Sequence, residues 1–143
     1  MIFNSANILH IDDERSVLKS TEMILEPKNY SIMGVTNANE GIELLKKNYF
    51  DYDLIFLDLE MPEMDGIETF IAIRKINPKI PILFVSAHFG EAKWERKLRN
   101  LEIEIKRIDK PFPIVTSKDF LDIENTLYVE RNRYREELLK PFK

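Results

Sequence analysis

Residues 54–66 decide the fold, and they read Leu-Ile-Phe-Leu-Asp-Leu-Glu-Met-Pro-Glu-Met-Asp-Gly. Four apolar residues lead directly into Asp58, and turn-forming residues follow within a few positions. A short apolar run that ends at turn residues is typical of a strand buried on both faces, as in a parallel sheet. Because an unpaired charge inside such a strand is costly, we place Asp58 at the carboxyl end of the strand, where open α/β sheets bind their ligands. Asp58 is therefore the candidate nucleophile.

The rest of the chain repeats this pattern of strand and helix. Short apolar runs predict five strands, at 7–11, 30–35, 54–57, 80–85 and 103–108. Apolar residues at helical spacing predict five helices, at 16–26, 39–48 with Asn39 as the N-cap, 67–77, 91–100 and 117–140. Strands that alternate with helices form right-handed βαβ crossovers. The sequence therefore predicts one α/β domain built on a doubly wound parallel sheet.

Composition and charge exclude several classes of function. A chain of 143 residues with 44% hydrophobic and 32% charged residues suits one globular domain. Its net charge of −4 gives no global basic field that would attract nucleic acid or an anionic membrane, and the absence of cysteine excludes disulfides and thiolate metal sites. Neither a signal peptide nor a membrane-spanning run is present in the sequence. We expect a cytoplasmic protein that contacts neither membrane nor nucleic acid.

Several reactive side chains follow the predicted strands, namely Asp12, Asp13, Asp58, Ser86 and Lys110. The carboxyl ends of parallel strands meet at one edge of a sheet, so these side chains should converge. Each pair of carboxylates would repel by roughly 3 kcal/mol at about 5 Å and an effective dielectric near 20, so the cluster must bind a cation or hold a proton. Oxygen ligands favour Mg²⁺ or another hard divalent ion. Carboxylates, a hard metal, a lysine and a hydroxyl together suit phosphoryl transfer to an aspartate.

The ordered set of motifs resembles the receiver domain of two-component response regulators. The motifs are Asp12-Asp13, Asp58 with Met-Pro-Glu-Met-Asp-Gly at 61–66, Ser86-Ala87, and Lys110-Pro111-Phe112. The resemblance covers about residues 8–127. It implies a flavodoxin-like five-stranded sheet of strand order 2-1-3-4-5.

The resemblance also implies a phosphoacceptor and its metal. Asp58 would accept a phosphoryl group from the phosphohistidine of a sensor histidine kinase or of a phosphotransfer protein. Asp13, Asp58 and the backbone carbonyl of Glu60 would ligate Mg²⁺ or Mn²⁺. Asp12 would act chiefly through metal-bound water.

The groups that would bind the phosphoryl oxygens are implied in the same way. They are the Lys110 ammonium, the Ser86 hydroxyl and the Ala87 amide. The protein would then be a phosphorylation-activated switch that changes its partner-binding surface. It would catalyse only its own phosphorylation and dephosphorylation.

Three residues fall outside the motif set. Arg107 stands three positions before Lys110, where the family usually has an aromatic residue, and it either places a cation on the partner-facing side or is simply a solvent-exposed strand residue. His10 lies within the first strand and is predicted to belong to the core. His88 lies two residues beyond Ser86, a position from which receivers influence the access of water to the phosphate.

The last predicted helix is longer than the sheet requires. Residues 117–140 would span about 36 Å as a helix, whereas a strand of ordinary length covers about 17–20 Å. Its first half would pack on the sheet through Phe120, Ile123 and Leu127. Its second half would project past the domain with Tyr134, Leu138 and Leu139.

We therefore divide the chain into a receiver domain at 1–128 and an extension of the last helix at 129–143. The extension would pair with a second chain, lead to an output module outside this sequence, or be a solvated tail. A homodimer through the face of the fourth and fifth helices is the alternative route to pairing.

Other readings of the motifs remain open at this point. Asp12-Asp13 could merely cap a helix, residues 58–66 could be only a strand–turn–helix connection, and Lys110 could be a solvated turn residue. The enzymatic alternative is a metal-dependent phosphatase or phosphotransferase that forms an aspartyl phosphate, but the haloacid dehalogenase pattern requires Thr or Val where Met61 stands. A flavin phosphate would be repelled by the acids at 12–14. A scaffold that is never phosphorylated is the last alternative.

Overall fold

A computed structural model describes residues 6–110 and 118–140, with only the backbone described at 119 and 120. Five parallel strands form one sheet of order β2-β1-β3-β4-β5. The strands are β1 Ala6–Ile11, β2 Tyr30–Val35, β3 Leu54–Leu57, β4 Ile82–Ser86 and β5 Lys106–Asp109. The helices are α1 Arg15–Leu25, α2 Ala38–Lys47, α3 Gly66–Ile76, α4 Ala92–Arg99 and α5 Lys118–Leu139, and a 3₁₀ turn, Glu26–Lys28, follows α1. The predicted doubly wound fold and its strand order are confirmed.

The central strand β3 is buried along its whole length. Ile55 and Leu57 face one hydrophobic cluster, and Leu54 and Phe56 face the other, so the sheet is covered on both sides. Side chains alternate between the faces of a strand, so a strand covered on both faces has to be apolar at every position. This explains why residues 54–57 form an unbroken apolar run.

The start of α2 differs from the prediction. Asn37, not Asn39, is the N-cap, and its side chain accepts a hydrogen bond from the Glu40 amide at 2.8 Å. Asn37 has the extended backbone that an N-cap residue needs (φ −148°, ψ 159°). The N-cap and the start of the helix at Ala38 therefore lie two residues before those that an N-cap at Asn39 implies.

The edge strand β5 is shorter and later than predicted. Its pairing with β4 begins where Lys106 meets Leu83, whereas the prediction began the strand at residue 103. Glu102 adopts a left-handed backbone with φ 56°, so the chain is still turning there. The alternation of isoleucines at 103–108 marked an apolar segment but not the point at which ladder pairing starts.

The second half of α5 contacts the body of the domain. Tyr134 is 2% exposed, and its hydroxyl accepts a hydrogen bond from Asn77 Nδ2 at 2.8 Å. Arg135 forms two hydrogen bonds of 2.8 Å with the carboxylate of Asp53, which immediately precedes β3. The prediction that Tyr134 projects past the domain is therefore wrong, because the phenol finds both a buried site and a polar partner. Leu139 is 83% exposed, as expected for a projecting residue.

Some predictions about the last helix lie outside the described residues. These are the start at Ser117 and the packing of the Phe120 side chain. The suggestion that 129–143 pairs with a second chain or leads to an output module stays a prediction. Within 6–110 and 118–140, no helix has the combination of length and apolar character that crossing a bilayer requires.

Candidate functional site

The carboxyl edge of the sheet gathers acids around one lysine. Asp12 and Asp58 are both buried. Lys110 Nζ lies 2.8 Å from Asp12 Oδ2 and 3.4 Å from Asp58 Oδ1. Asp13 and Glu14 complete a cluster in which one carboxylate oxygen of each acid lies within 4.8 Å of those of the other three. The structure thus brings Asp12, Asp13, Asp58 and Lys110 together.

Strand pairing accounts for this meeting. Ile11 and Leu57 are register partners on β1 and β3, so Asp12 and Asp58 emerge side by side from the edge of the sheet. The Asp58 amide donates to the Ile11 carbonyl at 3.0 Å, which extends the ladder by one residue. Lys110 follows β5, and its amide donates to the Ser86 carbonyl at 3.0 Å. Residues about a hundred positions apart in sequence therefore share one edge.

The turn after Asp58 requires glycine at its end. A Cβ atom on Gly66 would lie 2.2 Å from the Asp58 carbonyl oxygen, so no other residue fits without moving the backbone. The Gly66 amide donates to the Leu59 carbonyl at 2.8 Å, which folds the turn back on the end of β3. Asp65 and Glu68 then form a capping box that starts α3. The turn motif thus fixes the backbone on which Asp58 sits.

Burial and mutual repulsion raise the pKa values of the acids. Burial, followed by the negative charge of Asp12, raises the pKa of Asp58 to about 7, although Lys110 opposes the shift. Burial also raises the pKa of Asp12 against the effects of Lys110 and the Glu14 amide. Although burial lowers the pKa of Lys110, its contacts with Asp12 and Asp58 raise it overall. One lysine therefore does not compensate two buried carboxylates.

The donor set fits a hard divalent cation. All four acids offer carboxylate oxygens, and such ligands are preferred by Mg²⁺, Mn²⁺ and Ca²⁺. Burial first, and then the charge of Asp12, hold the Asp58 pKa near 7, and a bound cation would oppose both effects by favouring the ionised carboxylate. The acids that could hold it are Asp12, Asp13, Glu14 and Asp58. Glu14 was not among the predicted ligands, although its position directly after Asp13 would have indicated it.

Ser86 and Ala87 lie beside this cluster at the end of β4. Ser86 is fully buried, and its Oγ accepts a hydrogen bond from the His88 amide at 3.0 Å. Ala87 is exposed and lines a cavity of about 350 Å³ together with Lys110 and residues of α1. The two residues are therefore placed near the lysine. Their roles toward a phosphoryl group stay a prediction.

His88 has partners that the sequence did not indicate. Its Nε2 lies 3.0 Å from the Glu60 carboxylate, and its Nδ1 contacts the Glu91 carboxylate. The hydrogen bond with Glu91 raises the pKa of His88. The Glu60 side chain therefore faces His88, while the predicted role of its backbone carbonyl stays untested.

His10 and Arg107 have different surroundings. His10 is fully buried, with Phe56 edge-on to its ring, and burial lowers its pKa to about 3, so its assignment to the core is confirmed. Arg107 is exposed on the edge strand, as one of its two readings proposed. Its guanidinium nevertheless pairs with Glu95 of α4, which neither reading included. Residues 111 and 112 of the third motif lie outside the described residues.

Comparison with known families identifies the domain. Residues 8–117 match the family model described as the response regulator receiver domain. This chain belongs to that family. It is therefore a receiver domain, a signalling domain of two-component systems.

Curated relatives agree with the assignment. The receiver domain is 36% identical over 94 residues to the cell cycle response regulator CtrA of Brucella ovis and, with the same figures, to that of Brucella abortus. The match covers 66% of this chain and 38% of each relative. The chain thus spans less than half the length of these relatives.

Solved receiver structures share the fold. A receiver domain protein from Clostridium thermocellum superimposes with a TM-score of 0.70 at 23% identity, and the match covers 94% of this chain and 99% of that one. A CheY-like receiver from Methanospirillum hungatei gives a TM-score of 0.74 at 22% identity over 93% and 98% of the two chains. At these identities the comparison establishes the fold alone.

Proposed function

We propose that this receiver domain is a phosphorylation-activated switch and that Asp58 is its phosphoacceptor. The observation that carries the proposal is Lys110, whose ammonium lies between the buried carboxylates of Asp12 and Asp58. A cation placed there can bind oxygens of a phosphoryl group on Asp58. The donor would be the phosphohistidine of a sensor histidine kinase or of a phosphotransfer protein.

The reaction is a phosphoryl transfer between two side chains. An ionised Asp58 oxygen attacks phosphorus, the P–N bond to the donor histidine breaks, and the bond electrons return to the imidazole of the donor. The product on this chain is an acyl phosphate. Because the Asp58 pKa is near 7 in the absence of a cation, anything that favours the ionised carboxylate favours the attack.

Asp12, Asp13, Asp58 and the Glu60 carbonyl would hold Mg²⁺ or Mn²⁺. The ion, when bound, neutralises charge on the transferring phosphoryl oxygens. The carboxylates of Asp12 and Asp13 would attract the ion. Both residues directly follow β1, which places them close to Asp58. Lys110 holds the remaining phosphoryl oxygens as a point charge.

Ser86 and Ala87 would complete the phosphate site. The Ser86 hydroxyl and the Ala87 amide follow β4 at the same edge of the sheet, and both can donate to phosphoryl oxygens. Recruiting them would move the start of the loop that leads to α4. The switch then biases a conformational equilibrium that already exists in the free domain.

The signalling context follows from the same proposal. The domain would work in the cytoplasm, recognise its kinase or phosphotransfer protein through the carboxyl edge, and turn over no separate metabolite. A homodimer would use the face of α4 and α5 or the end of α5. Nucleic acid and membrane are not expected as direct partners of this segment.

Intact-mass measurement after incubation with Mg²⁺ and acetyl phosphate tests the proposal. The wild-type domain should gain one acid-labile phosphoryl group, and Asp58→Asn should gain none. Asp51→Asn is the matched control, because Asp51 is an exposed acid that precedes the opposite end of β3, and it should label like the wild type. Unchanged labelling of Asp58→Asn would place the acceptor elsewhere.

A further inference from the structure

Arg107 bridges the edge strand and α4 through two contacts. Its Nη1 and Nη2 donate to the two carboxylate oxygens of Glu95 at 2.5 and 3.1 Å. Its guanidinium carbon lies 5.2 Å from the centroid of the Phe89 ring, which is 7% exposed. The forked ion pair requires the guanidinium of arginine, and the cation–π contact is one that arginine forms more often than lysine.

Both contacts fall on the segment that leads away from the candidate phosphate site. Residues 87–91 join β4 to α4, and they follow Ser86 directly. Phe89 lies in the middle of this loop, and Glu95 lies in the first turn of α4. Arg107 therefore holds the loop at its centre and at the helix that follows it.

The loop is bonded to itself in this arrangement. The Ser86 Oγ accepts a hydrogen bond from the His88 amide at 3.0 Å. This hydrogen bond would break if the hydroxyl moved. Movement of Ser86 toward a phosphoryl group on Asp58 would displace the loop residues bonded to it. Contacts that hold Phe89 and Glu95 in place oppose that displacement.

We propose that Arg107 is a positioning residue that stabilises the unphosphorylated arrangement of residues 86–91 through Phe89 and Glu95. This inference rests on the proposed function, since it assigns a regulator to the same site. A contact that stabilises one of two states weakens the binding of a ligand that prefers the other state. The loss of binding free energy is at most the free energy of the contact. The relation is reciprocal, so phosphorylation of Asp58 in turn weakens the pair between Arg107 and Glu95.

The size of the effect is limited by solvent. The Arg107 side chain is 38% exposed and that of Glu95 is 30% exposed. Ion pairs at such positions are modest and weaken with salt. The stacking on Phe89 adds a contribution of similar size. We therefore expect changes in affinity of about three- to tenfold.

Titration with beryllofluoride in the presence of Mg²⁺ tests the inference, with Trp94 fluorescence as the readout. Trp94 is the only tryptophan of the chain, is 2% exposed and precedes Glu95 on α4. Arg107→Gln and Glu95→Gln should each bind the phosphoryl mimic about three- to tenfold more tightly than the wild type. The two changes combined should give less than the product of the single effects, because they remove the same pair.

A charge exchange and a control separate positioning from damage. The double variant Arg107→Glu with Glu95→Arg restores a pair of opposite charges and should return the affinity toward that of the wild type. Arg107→Lys keeps the charge without the fork and should give an intermediate affinity. Arg96→Gln removes an exposed cation of α4 that has no ion pair among the described residues, and it should bind like the wild type.

The outcomes distinguish this inference from the proposed function. If the wild type binds the mimic but Arg107→Gln binds it equally or more weakly, the positioning role is wrong and the phosphoacceptor site stands. If Arg96→Gln tightens binding as much as Arg107→Gln, net charge rather than the contacts of Arg107 with Glu95 and Phe89 is responsible, and the inference also fails. If the wild type does not bind the mimic, the proposed function fails and the inference falls with it.

Discussion

The two edges of the sheet each hold an aspartate beside a cation, and they differ in how the charges balance. At the amino edge, Asp53 receives two hydrogen bonds of 2.8 Å from Arg135 and a third of 2.8 Å from the Asn7 amide. At the carboxyl edge, Asp58 shares Lys110 with a second buried acid, Asp12. The amino edge pairs Asp53 with one cation, whereas the carboxyl edge has more acids than cations.

The two carboxylates differ in how completely their charge is paired. A satisfied ion pair fastens α5 under β3 and requires no further ligand. An excess of buried negative charge costs stability, and proteins retain it where chemistry needs it. Burial, followed by the charge of Asp12, raises the Asp58 pKa to about 7, and Lys110 does not offset the two. Five experiments test the two sides of this contrast.

Replacing the lysine should have the largest effect. Lys110→Met keeps the length of the side chain but removes the charge that would hold the phosphoryl oxygens. We expect the rate of labelling by acetyl phosphate to fall by about a hundredfold or more. Lys106→Met is the control, since Lys106 lies on β5, the strand that Lys110 follows, but pairs with Glu104 and Glu130, and its rate should stay near that of the wild type. An equal fall in both variants would contradict the assignment of Lys110.

Removing the charge of each aspartate should change stability in opposite directions. Without Mg²⁺ at pH 8, Asp58→Asn should raise the free energy of unfolding by roughly 2 kcal/mol or more, because it removes a buried charge whose pKa is raised. Asp53→Asn should lower it by roughly 1–2 kcal/mol, because Arg135 loses its charged partner. Urea unfolding of the two variants measures both. Changes of the same sign would remove the contrast between the edges.

Adding Mg²⁺ should sharpen this difference. A bound cation stabilises the ionised form of Asp58, so the wild type should gain stability with Mg²⁺ and Asp58→Asn should gain less. Asp53→Asn should gain as much as the wild type, because the amino edge contributes no ligand to the cluster. An equal gain in all three proteins would indicate that the ion binds away from Asp58.

The pH dependence of stability should separate the contributions of Asp58 and His10, two of the buried titratable groups near the carboxyl edge. The folded-state pKa of Asp58 is raised from 3.8 to about 7. The folded protein therefore keeps a proton that the unfolded chain loses, and stability falls as the pH rises between these values. The folded-state pKa of His10 is lowered from 6.5 to about 3. The stability that comes from keeping His10 neutral is therefore present above pH 6.5 and is lost as the pH falls toward 3.

The two contributions oppose each other between about pH 4 and 6.5, so single variants reveal them. We compare the unfolding free energy of His10→Leu with that of the wild type at two pH values. The difference should favour the variant by roughly 2 kcal/mol more at pH 5 than at pH 8. Asp58→Asn in the absence of Mg²⁺ should lose the fall in stability that Asp58 causes as the pH rises, so its profile should rise more steeply with pH than that of the wild type. Thermal or urea unfolding at several pH values measures both. If neither variant changes the shape of the profile, the burial of these groups does not control their titration.

The smallest effect is expected at the amino edge. Tyr134→Phe removes the hydroxyl that accepts from Asn77 and leaves a buried amide without that partner. We expect a loss of roughly 1–2 kcal/mol in unfolding free energy, with phosphorylation of Asp58 unchanged. Tyr128→Phe, at a 41% exposed position of the same helix, is the control and should lose little. A large change in labelling rate in Tyr134→Phe would mean that the two edges are coupled.

The sequence predicted the parts of the fold that depend on local pattern. The apolar run at 54–57 and the turn ending at Gly66 are visible in the sequence because burial on both faces and a close backbone approach dictate them. The alternation of strand and helix then implies one functional edge, which the structure builds from β1, β3, β4 and β5. The convergence of acids and Lys110 could be anticipated for the same reason.

Features that depend on a tertiary partner could not be predicted in this way. Tyr134 is buried because Asn77 lies where its hydroxyl needs a donor. Arg107 finds Glu95 on a helix whose position relative to β5 no periodicity reveals. The start of β5 is set by pairing with Leu83, and the N-cap of α2 by the backbone of Asn37. At the start of β5 and at the N-cap of α2 the local sequence offers two similar positions, and only the folded structure decides between them.

The central claim is that the acids and the lysine at the carboxyl edge make Asp58 the phosphoacceptor. Its most direct test is chemical trapping: the domain is phosphorylated with acetyl phosphate and Mg²⁺, reduced with borohydride, and sequenced by tandem mass spectrometry. Reduction of an aspartyl phosphate leaves homoserine at the modified position. We expect homoserine at position 58 alone. Homoserine at another aspartate, or none in a protein that has taken up phosphate, would contradict it.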